Sequence, residues 1–302
     1  MTVFSNHPAH LVIIALGLVM AAWVPESARG QQTDPCSDMA PPPGAKHLGY
    51  NYKVFCVAPT TADVSDTDSV PSKLYSGSWS DRKPYPMSMF SLSGQGLALA
   101  SGAVVTTQTR KSLPGLLPLL PASSGFYVEF AERISDNDPD HWPAVWLMPQ
   151  EHNSHQADHA PGDPPRYERW MELDVDEGGF NKSGHHGAVH NWYGIYPHYE
   201  RQSGANDPVS SPPMDRTQEH IFGLSYDPVR ATVTWYVDGV SVGSASTAGL
   251  PAIIKQHHYY LIMSNQTHGL NRPYTMYIRY FTAWAAGPVP NPPSGVHTVT
   301  SP

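Results

Sequence analysis

The sequence predicts an all-β protein built as a two-sheet sandwich. From Met87 onward, short runs in which apolar and polar residues alternate are separated by glycine-containing turns. No segment shows a convincing helical period. All-β sandwiches of about 200–250 residues commonly fold as one unit, so the 302 residues leave room for one large domain.

The first 30 residues are predicted to form a secretory signal peptide. An apolar run from Leu11 to Val24 is followed by small residues that would allow cleavage after Ala28 or Gly30. Few positive charges precede the run, so an uncleaved anchor is the alternative. No other apolar run is long enough to span a bilayer, and we expect no stable membrane insertion.

Residues 31–84 are predicted to be an irregular N-terminal segment that packs on the domain, or a linker. They are rich in proline, serine, threonine and aspartate, and they contain Cys36 and Cys56, the only cysteines of the chain. An oxidising compartment would permit a disulfide between these two residues. We therefore expect a secreted protein, extracellular or periplasmic, with a Cys36–Cys56 disulfide.

The main domain is predicted over residues 85–286. Alternating apolar residues indicate half-buried strands at 126–130, 233–237 and 276–284. Asp238-Gly239 supplies two residues that tolerate positive φ, as a two-residue hairpin turn requires. The proline-rich residues 287–302 are predicted to form a disordered tail.

Four carboxylates lie within six residues of one predicted strand. In a flat strand Glu172, Asp174 and Asp176 would share one face, and Glu177 would lie on the other. A β-bulge adds one residue to a strand and resets the alternation beyond it. A bulge near Val175-Asp176 would therefore bring Glu177 to the face of Glu172 and Asp174.

Crowded carboxylates repel one another, which separates their pKa values. Retaining glycosidases need such a pair, with one carboxylate as nucleophile and a second as acid and then base, about 5–5.5 Å apart. The segment resembles the E-x-D-x-x-E signature of glycoside hydrolase family 16. By that resemblance Glu172 is the nucleophile, Asp174 the acid between the two, and Glu177 the acid/base. The order of strands over roughly residues 85–286 is also similar to the family.

The resemblance implies a concanavalin-like jelly roll with a concave substrate cleft. It also indicates a divergent member, because Gly178-Gly179 after the last glutamate is smaller than the family pattern and Arg279 stands where the family usually has an acid. These departures leave all three predicted catalytic carboxylates in place.

Five further residues are predicted to bind substrate. Aromatic platforms suit the C–H faces of sugar rings, although buried aromatics are equally ordinary in a sandwich core. By the resemblance Trp146 stacks on the sugar beside the scissile bond, His190 lies near the cleft, and Gln266 is a sugar-binding polar residue. Trp192 shares the face of His190, and Trp170 belongs to the same aromatic group.

No metal site and no organic cofactor are predicted. The spacing of His185, His186 and His190 suits no common strand-borne metal site, so structural or substrate hydrogen bonding is the preferred role. A structural calcium is implied as an option by the family, but the sequence does not locate it. The net charge of −8, without a basic block, argues against nucleic acid as a partner, and we expect a monomer.

The sequence thus predicts a secreted, endo-acting, retaining glycoside hydrolase that cleaves a β-linked polysaccharide, either a β-glucan or a β-galactan. Two alternatives stay open. The first is a glycan-binding sandwich that has no turnover, and the second is a transglycosylase on the same fold.

Overall fold

Two mainly antiparallel β-sheets make up the protein in a computed structural model, which describes residues 34–67, 72–81, 83–108, 116–153, 160–180, 184–203, 209–250 and 252–289. The signal peptide predicted for residues 1–30 lies outside the described residues. So does the predicted tail over 287–302, apart from its first three residues.

Eighteen strands, two short α-helices and three 3₁₀ helices are present in the described part of the chain. The α-helices are α1 (Pro43–His47) and α2 (Gln150–Asn153), and the 3₁₀ helices are Thr61–Asp63, Met87–Met89 and Ala252–Gln256. The described residues include no helix that is both long and apolar enough to cross a membrane. The strands are β1 (Tyr52–Val57), β2 (Val64–Ser65), β3 (Leu74–Tyr75), β4 (Phe90–Ser93), β5 (Gly96–Ala100), β6 (Val104–Thr106), β7 (Leu120–Pro121), β8 (Phe126–Ile134), β9 (Trp142–Pro149), β10 (Glu168–Glu177), β11 (His186–Ile195), β12 (His198–Ser203), β13 (Val209–Ser210), β14 (His220–Asp227), β15 (Thr232–Val237), β16 (Val240–Ser246), β17 (His258–Gln266) and β18 (Thr275–Ala285).

The strands divide into two sheets. Sheet 1 has the order β16-β15-β14-β8-β18-β5-β4, and β1 pairs with β18. Sheet 2 has the order β12-β11-β10-β9-β17-β6-β3-β2, with β13 on β11 and β7 on β17. Strands β8 and β10 are interior strands of sheet 1 and sheet 2 respectively. The predicted two-sheet sandwich is therefore confirmed.

The core lies between the inner faces of the two sheets. Phe126, Val128 and Phe130 of β8 are fully buried, and on β10 the buried residues include Leu173 and Val175. This alternation follows from the period of two along a strand, which sends every second side chain into the sandwich. The other face of β10 is left to carry the polar residues of the candidate site.

The predicted hairpin turn is present between β15 and β16. Asp238 has φ +51° and Gly239 has φ +78°, so both residues occupy the left-handed region. A turn formed by two such residues matches the right-handed twist of the flanking strands.

The N-terminal segment is more regular than the sequence predicts. Within residues 31–84, β1 pairs along the last strand and β2 and β3 extend sheet 2. Phe55 of β1 contacts Phe281 with ring centroids 6.1 Å apart, and a disulfide joins Cys36 to Cys56. These short strands differ from the irregular segment expected from the sequence, because strands of two to six residues are determined by tertiary partners that a local pattern does not reveal.

Candidate active site

Strand β10 contains the β-bulge that the sequence predicts. Opposite β9, Asp174 pairs with Trp146 and Asp176 pairs with Val145, so two steps along β10 correspond to one step along β9. Glu177 follows opposite the next residue of β9. Because the extra residue resets the alternation, Asp176 is turned into the sandwich and Glu177 is turned out of it.

The three predicted catalytic carboxylates lie together on the outward face of β10. One side-chain atom from each of Glu172, Asp174 and His190 lies within 4.8 Å of the other two. His190 Nε2 lies 3.2 Å from Asp174 Oδ2, and Glu177 is close enough for its charge to raise the pKa of Glu172. The bulge therefore gathers the predicted trio with His190 beside it.

Burial is the main influence on Glu172. It raises the pKa of the Glu172 carboxyl to about 8, and the negative charge of Asp174 adds to the effect. His190 acts in the opposite direction, as does Trp192, whose Nε1–H donates to Glu172 Oε2 at 3.2 Å. At neutral pH this cluster consequently holds a proton that isolated glutamates would release.

Glu177 is held by Trp142. The Trp142 Nε1–H donates to Glu177 Oε1 at 2.9 Å, which lowers the pKa of Glu177 against the larger rise caused by burial. The Trp142 ring stacks on His268 at 3.9 Å between ring centroids. A Cβ atom on Gly179 would lie only 1.7 Å from the Trp142 ring, so glycine is required here for the indole to reach Glu177. The unusually small residues after Glu177 thus have a structural reason.

Three of the predicted substrate-binding residues, Trp146, His190 and Trp192, lie beside the carboxylates. Trp146 and Trp192 are half-buried and lie next to Asp174 and Glu172 respectively. Gln266 donates to Ser264 Oγ at 3.0 Å, and its Oε1 lies 2.8 Å from a ring nitrogen of His268. The Gln266 amide is therefore already engaged on both sides.

Trp170 does not lie in a position to contact a sugar. It is 4% exposed, its ring stacks on His152 at 3.7 Å, and Tyr199 meets it edge-on at 4.8 Å. The ring is thus covered by α2 and β12. Trp170 therefore occupies the core position that the sequence left open, and its role in substrate binding stays a prediction.

Two buried side chains hold the backbone of the bulge. Trp235 Nε1–H donates to the Asp174 carbonyl at 2.7 Å, and His185 Nε2 lies 2.8 Å from the carbonyl of Val175. Burial lowers the pKa of His185, so the ring is neutral and Nε2 carries the donated hydrogen. This agrees with the structural role that we prefer for this histidine over metal binding.

One group among the described residues could hold a metal ion, and it consists of Glu172, Asp174 and His190. These are the same side chains that form the carboxylate cluster, with His190 already beside Asp174. The absence of a metal stays a prediction.

Two residues that matter to this geometry were not predicted from the sequence. Trp142 lies in a run whose local pattern indicates only a strand, and its bond to Glu177 depends on the register between β9 and β10. Arg216, whose guanidinium meets Asp176, lies in a proline-rich connection with no local signal of burial.

The sandwich and its acidic outward face define a protein with a concanavalin-like jelly-roll fold of the kind found in polysaccharide-cleaving enzymes. Known structures bear out the fold. The chain is similar to a non-specific endo-beta-1,3(4)-glucanase from family GH16, with a TM-score of 0.50 and 14% identity over 78% of this chain and 91% of that one. The fold of glycoside hydrolase family 16, implied by the signature around Glu172, is thus confirmed.

Two further likenesses are weaker. Beta-agarase A from Zobellia galactanivorans superposes with a TM-score of 0.46 and 13% identity, over 68% of this chain and 77% of that one. A glycoside hydrolase family 16 endo-glucanase from Bacteroides ovatus gives 0.45 and 14%, over 66% and 87%. No family model matches the sequence, and no curated protein matches it. At these identities the likeness concerns the fold.

Proposed function

We propose that the protein is a secreted, endo-acting, retaining glycoside hydrolase that cleaves a β-linked polysaccharide. The observation that carries this proposal is the bulge of β10, which turns Glu177 to the face of Glu172 with Asp174 between them. Two partly buried carboxyl groups on one face are what a double displacement at an anomeric carbon requires.

In the proposed reaction Glu177 starts as the acid. Burial raises its pKa, which keeps a proton available for the leaving glycosidic oxygen. Glu172 attacks the anomeric carbon and forms a covalent glycosyl-enzyme. Glu177, now a carboxylate, takes a proton from water, and the resulting hydroxide equivalent releases the sugar with its configuration retained.

Glu172 must be ionised in order to attack. Burial and the charge of Asp174 raise its pKa to about 8, so Glu172 has to lose a proton before it attacks. His190, which lies 3.2 Å from Asp174, lowers the pKa of Glu172 and so favours the ionised form. The positive charge that develops on the sugar ring also favours the ionised form of Glu172.

The same raised pKa favours a second candidate function. A site whose nucleophile stays protonated would bind a glycan through its tryptophans and carboxyl groups but would not cleave it. The two candidates predict different results when activity is followed from about pH 5 to pH 9, because only the hydrolase gains activity as Glu172 ionises.

Three aspects of the proposal rest on other support. The endo mode and a β-glucan substrate are suggested by the endo-beta-1,3(4)-glucanase that shares this fold. β-Galactans are also proposed as substrates because the segment around Glu172 resembles the family signature. Secretion is supported by the Cys36–Cys56 disulfide, since such bonds persist in oxidising compartments.

The test uses single amide substitutions on a panel of β-glucans and β-galactans. We expect Glu172→Gln and Glu177→Gln to lower hydrolysis by several orders of magnitude while the thermal stability stays near that of the wild type. The matched control is Glu168→Gln, because Glu168 lies on the same face of β10, accepts a bond from Tyr199, and is outside the cluster.

The stereochemistry of the first product, followed by proton NMR, checks retention. An α-configured initial product from a β-linked substrate would contradict the mechanism. Near-normal turnover by Glu172→Gln would contradict its assignment as the nucleophile. Binding without turnover by the wild-type protein across the panel would establish the second candidate.

A further inference from the structure

A buried ionic network lies directly behind the bulge. Arg216 is 3% exposed, and Asp176 and Glu132 are fully buried. Arg216 Nη2 donates to Asp176 Oδ2 at 2.5 Å and to Glu132 Oε1 at 3.1 Å, while Nη1 lies 3.4 Å from Asp176 Oδ1. The guanidinium thus holds both oxygens of Asp176.

The three side chains come from different parts of the sandwich. Asp176 is on β10 of sheet 2, Glu132 is on β8 of sheet 1, and Arg216 is in the connection between β13 and β14. The backbone of Arg216 is fixed by Asn137, whose Oδ1 accepts from the Arg216 N–H at 2.7 Å, and by the Ile134 N–H, which donates to the Arg216 carbonyl at 2.9 Å. Arg216 therefore reaches β10 from an anchored position.

The network is close to electrical balance. Burial and the charge of Asp176 raise the pKa of Glu132 to about 8, against the opposing effect of Arg216. Glu132 is therefore mainly neutral at neutral pH, which leaves one cation facing one anion. Two further titratable groups interact with the network: His185, whose pKa is lowered by burial, and Tyr274, whose pKa is raised by burial.

The main-chain ladder alone does not determine the bulge at this point. Strand β10 pairs with β11 as far as Asp174 opposite Ala188, and the pairing beyond that residue, among the described residues, is with β9. Asp176 and Glu177 are adjacent acids, and a slip of one residue would exchange their faces. Both carboxylates favour the solvent-exposed face of the strand unless one of them forms an ion pair inside the protein.

We propose that Arg216 is a positioning residue for the catalytic machinery, because it holds Asp176 inside the sandwich and thereby fixes the bulge that turns Glu177 into the cleft. The role depends on the bidentate contact with Asp176, and it concerns which of two neighbouring acids reaches the substrate. The inference rests on the proposed function only in naming Glu177 as a catalytic residue.

The test measures the accessibility of position 177 directly. The two native cysteines form a disulfide and the described chain contains no free cysteine, so Glu177→Cys introduces one reactive thiol. Its rate of reaction with a small thiol reagent, without reductant, reports whether position 177 faces the cleft or the core. We expect Arg216→Met to slow this reaction by about tenfold or more, because unpaired Asp176 moves outward and position 177 moves inward.

A rescue variant separates this role from a general loss of stability. Replacement of the ion pair by apolar residues, Arg216→Met with Asp176→Leu, removes the need for a buried cation and leaves an apolar side chain that prefers the interior. We expect the labelling rate to return to within about threefold of the Glu177→Cys protein. The control is Glu129→Gln, because Glu129 is also a buried carboxyl on β8 but bonds to Tyr127 and Tyr280.

Circular dichroism and thermal melting establish which variants are folded. If Arg216→Met does not fold, Arg216→Lys replaces it, since lysine keeps the charge and lacks the planar fork. An unchanged labelling rate in a folded Arg216 variant would overturn the proposal. Slow labelling that Asp176→Leu fails to restore would overturn it as well, because Arg216 would then act through another residue. Labelling needs no turnover, so a failure to hydrolyse any glycan would refute the proposed function alone.

Discussion

Replacement of Trp142 by phenylalanine should raise the pKa of the proposed acid, Glu177. The variant keeps a smaller aromatic ring between Gly179 and His268 and loses the Nε1–H that donates to Glu177 at 2.9 Å. That bond stabilises the ionised carboxylate and so lowers the pKa of Glu177. Its loss acts in the same direction as burial.

The size of the shift follows from the strength of the bond. Hydrogen bonds to charged groups contribute about 1.5–3 kcal/mol, and one pKa unit corresponds to about 1.4 kcal/mol. Glu177 is half-buried, so water replaces part of the lost bond. We therefore expect the pKa of Glu177 to rise by about one unit.

Two measurements check this expectation. Carbon-13 NMR of the glutamate carboxyl groups, with the signal of Glu177 assigned through Glu177→Gln, gives the titration directly. In the pH profile of kcat/KM the alkaline limb reports loss of the acid proton, and we expect it to move up by about one pH unit.

Two further variants define the outcome. Trp146→Phe is the matched control, because the Trp146 indole donates to Ser264 and not to Glu177. Gly179→Ala should reproduce the effect of Trp142→Phe, since the new Cβ would collide with the Trp142 ring at 1.7 Å. A Glu177 titration that is unchanged, or that moves to lower pH, in folded Trp142→Phe would refute the reasoning.

Three other predictions concern stability. The pKa of Glu132 rises from 4.5 to about 8 on folding, so the native state binds the extra proton and wild-type stability should fall as pH rises through this range; Glu132→Gln should flatten that fall in thermal melts, and a pH-independent difference in Tm would contradict the linkage. Loss of the disulfide, whose cysteines are 20 residues apart, through Cys36→Ser with Cys56→Ser should cost about 3 kcal/mol in urea unfolding, and reductant should then have no further effect. Gly187→Ala should destabilise by about 1–3 kcal/mol, because its Cβ would lie 2.1 Å from Trp235 Nε1; unchanged urea unfolding would show that Trp235 can move without penalty.

The features that were predictable from the sequence are those with a local signal. The alternation of apolar residues along the sequence predicts β8, because Phe126, Val128 and Phe130 all face the core. Asp238-Gly239 marked a turn because few other residue pairs tolerate its backbone angles. The bulge was predictable because a flat strand would send Glu177 away from Glu172, which left the carboxylates without a common face.

The features that were missed depend on distant contacts. Trp170 has the same local pattern as Trp192, and only the packing of His152 over its ring separates a buried residue from a residue at the site. The first strand escaped detection because its partner lies more than 200 residues further along the chain, as Phe55 opposite Ala283 illustrates. No local pattern could connect such pairs.

The pairing of the first strand with the last has a practical consequence for the design of shortened proteins. A version that starts at residue 85, where the repeated short strands begin in the sequence, would lack the strand that contains Phe55. Phe281 would lose one of its two aromatic neighbours, Phe55, and keep Phe130. Thr282 would lose the carbonyl to which its hydroxyl donates at 2.8 Å. The exposed edge of the final strand would then present unpaired backbone amides to other molecules. Expression of the protein should therefore begin ahead of Cys36.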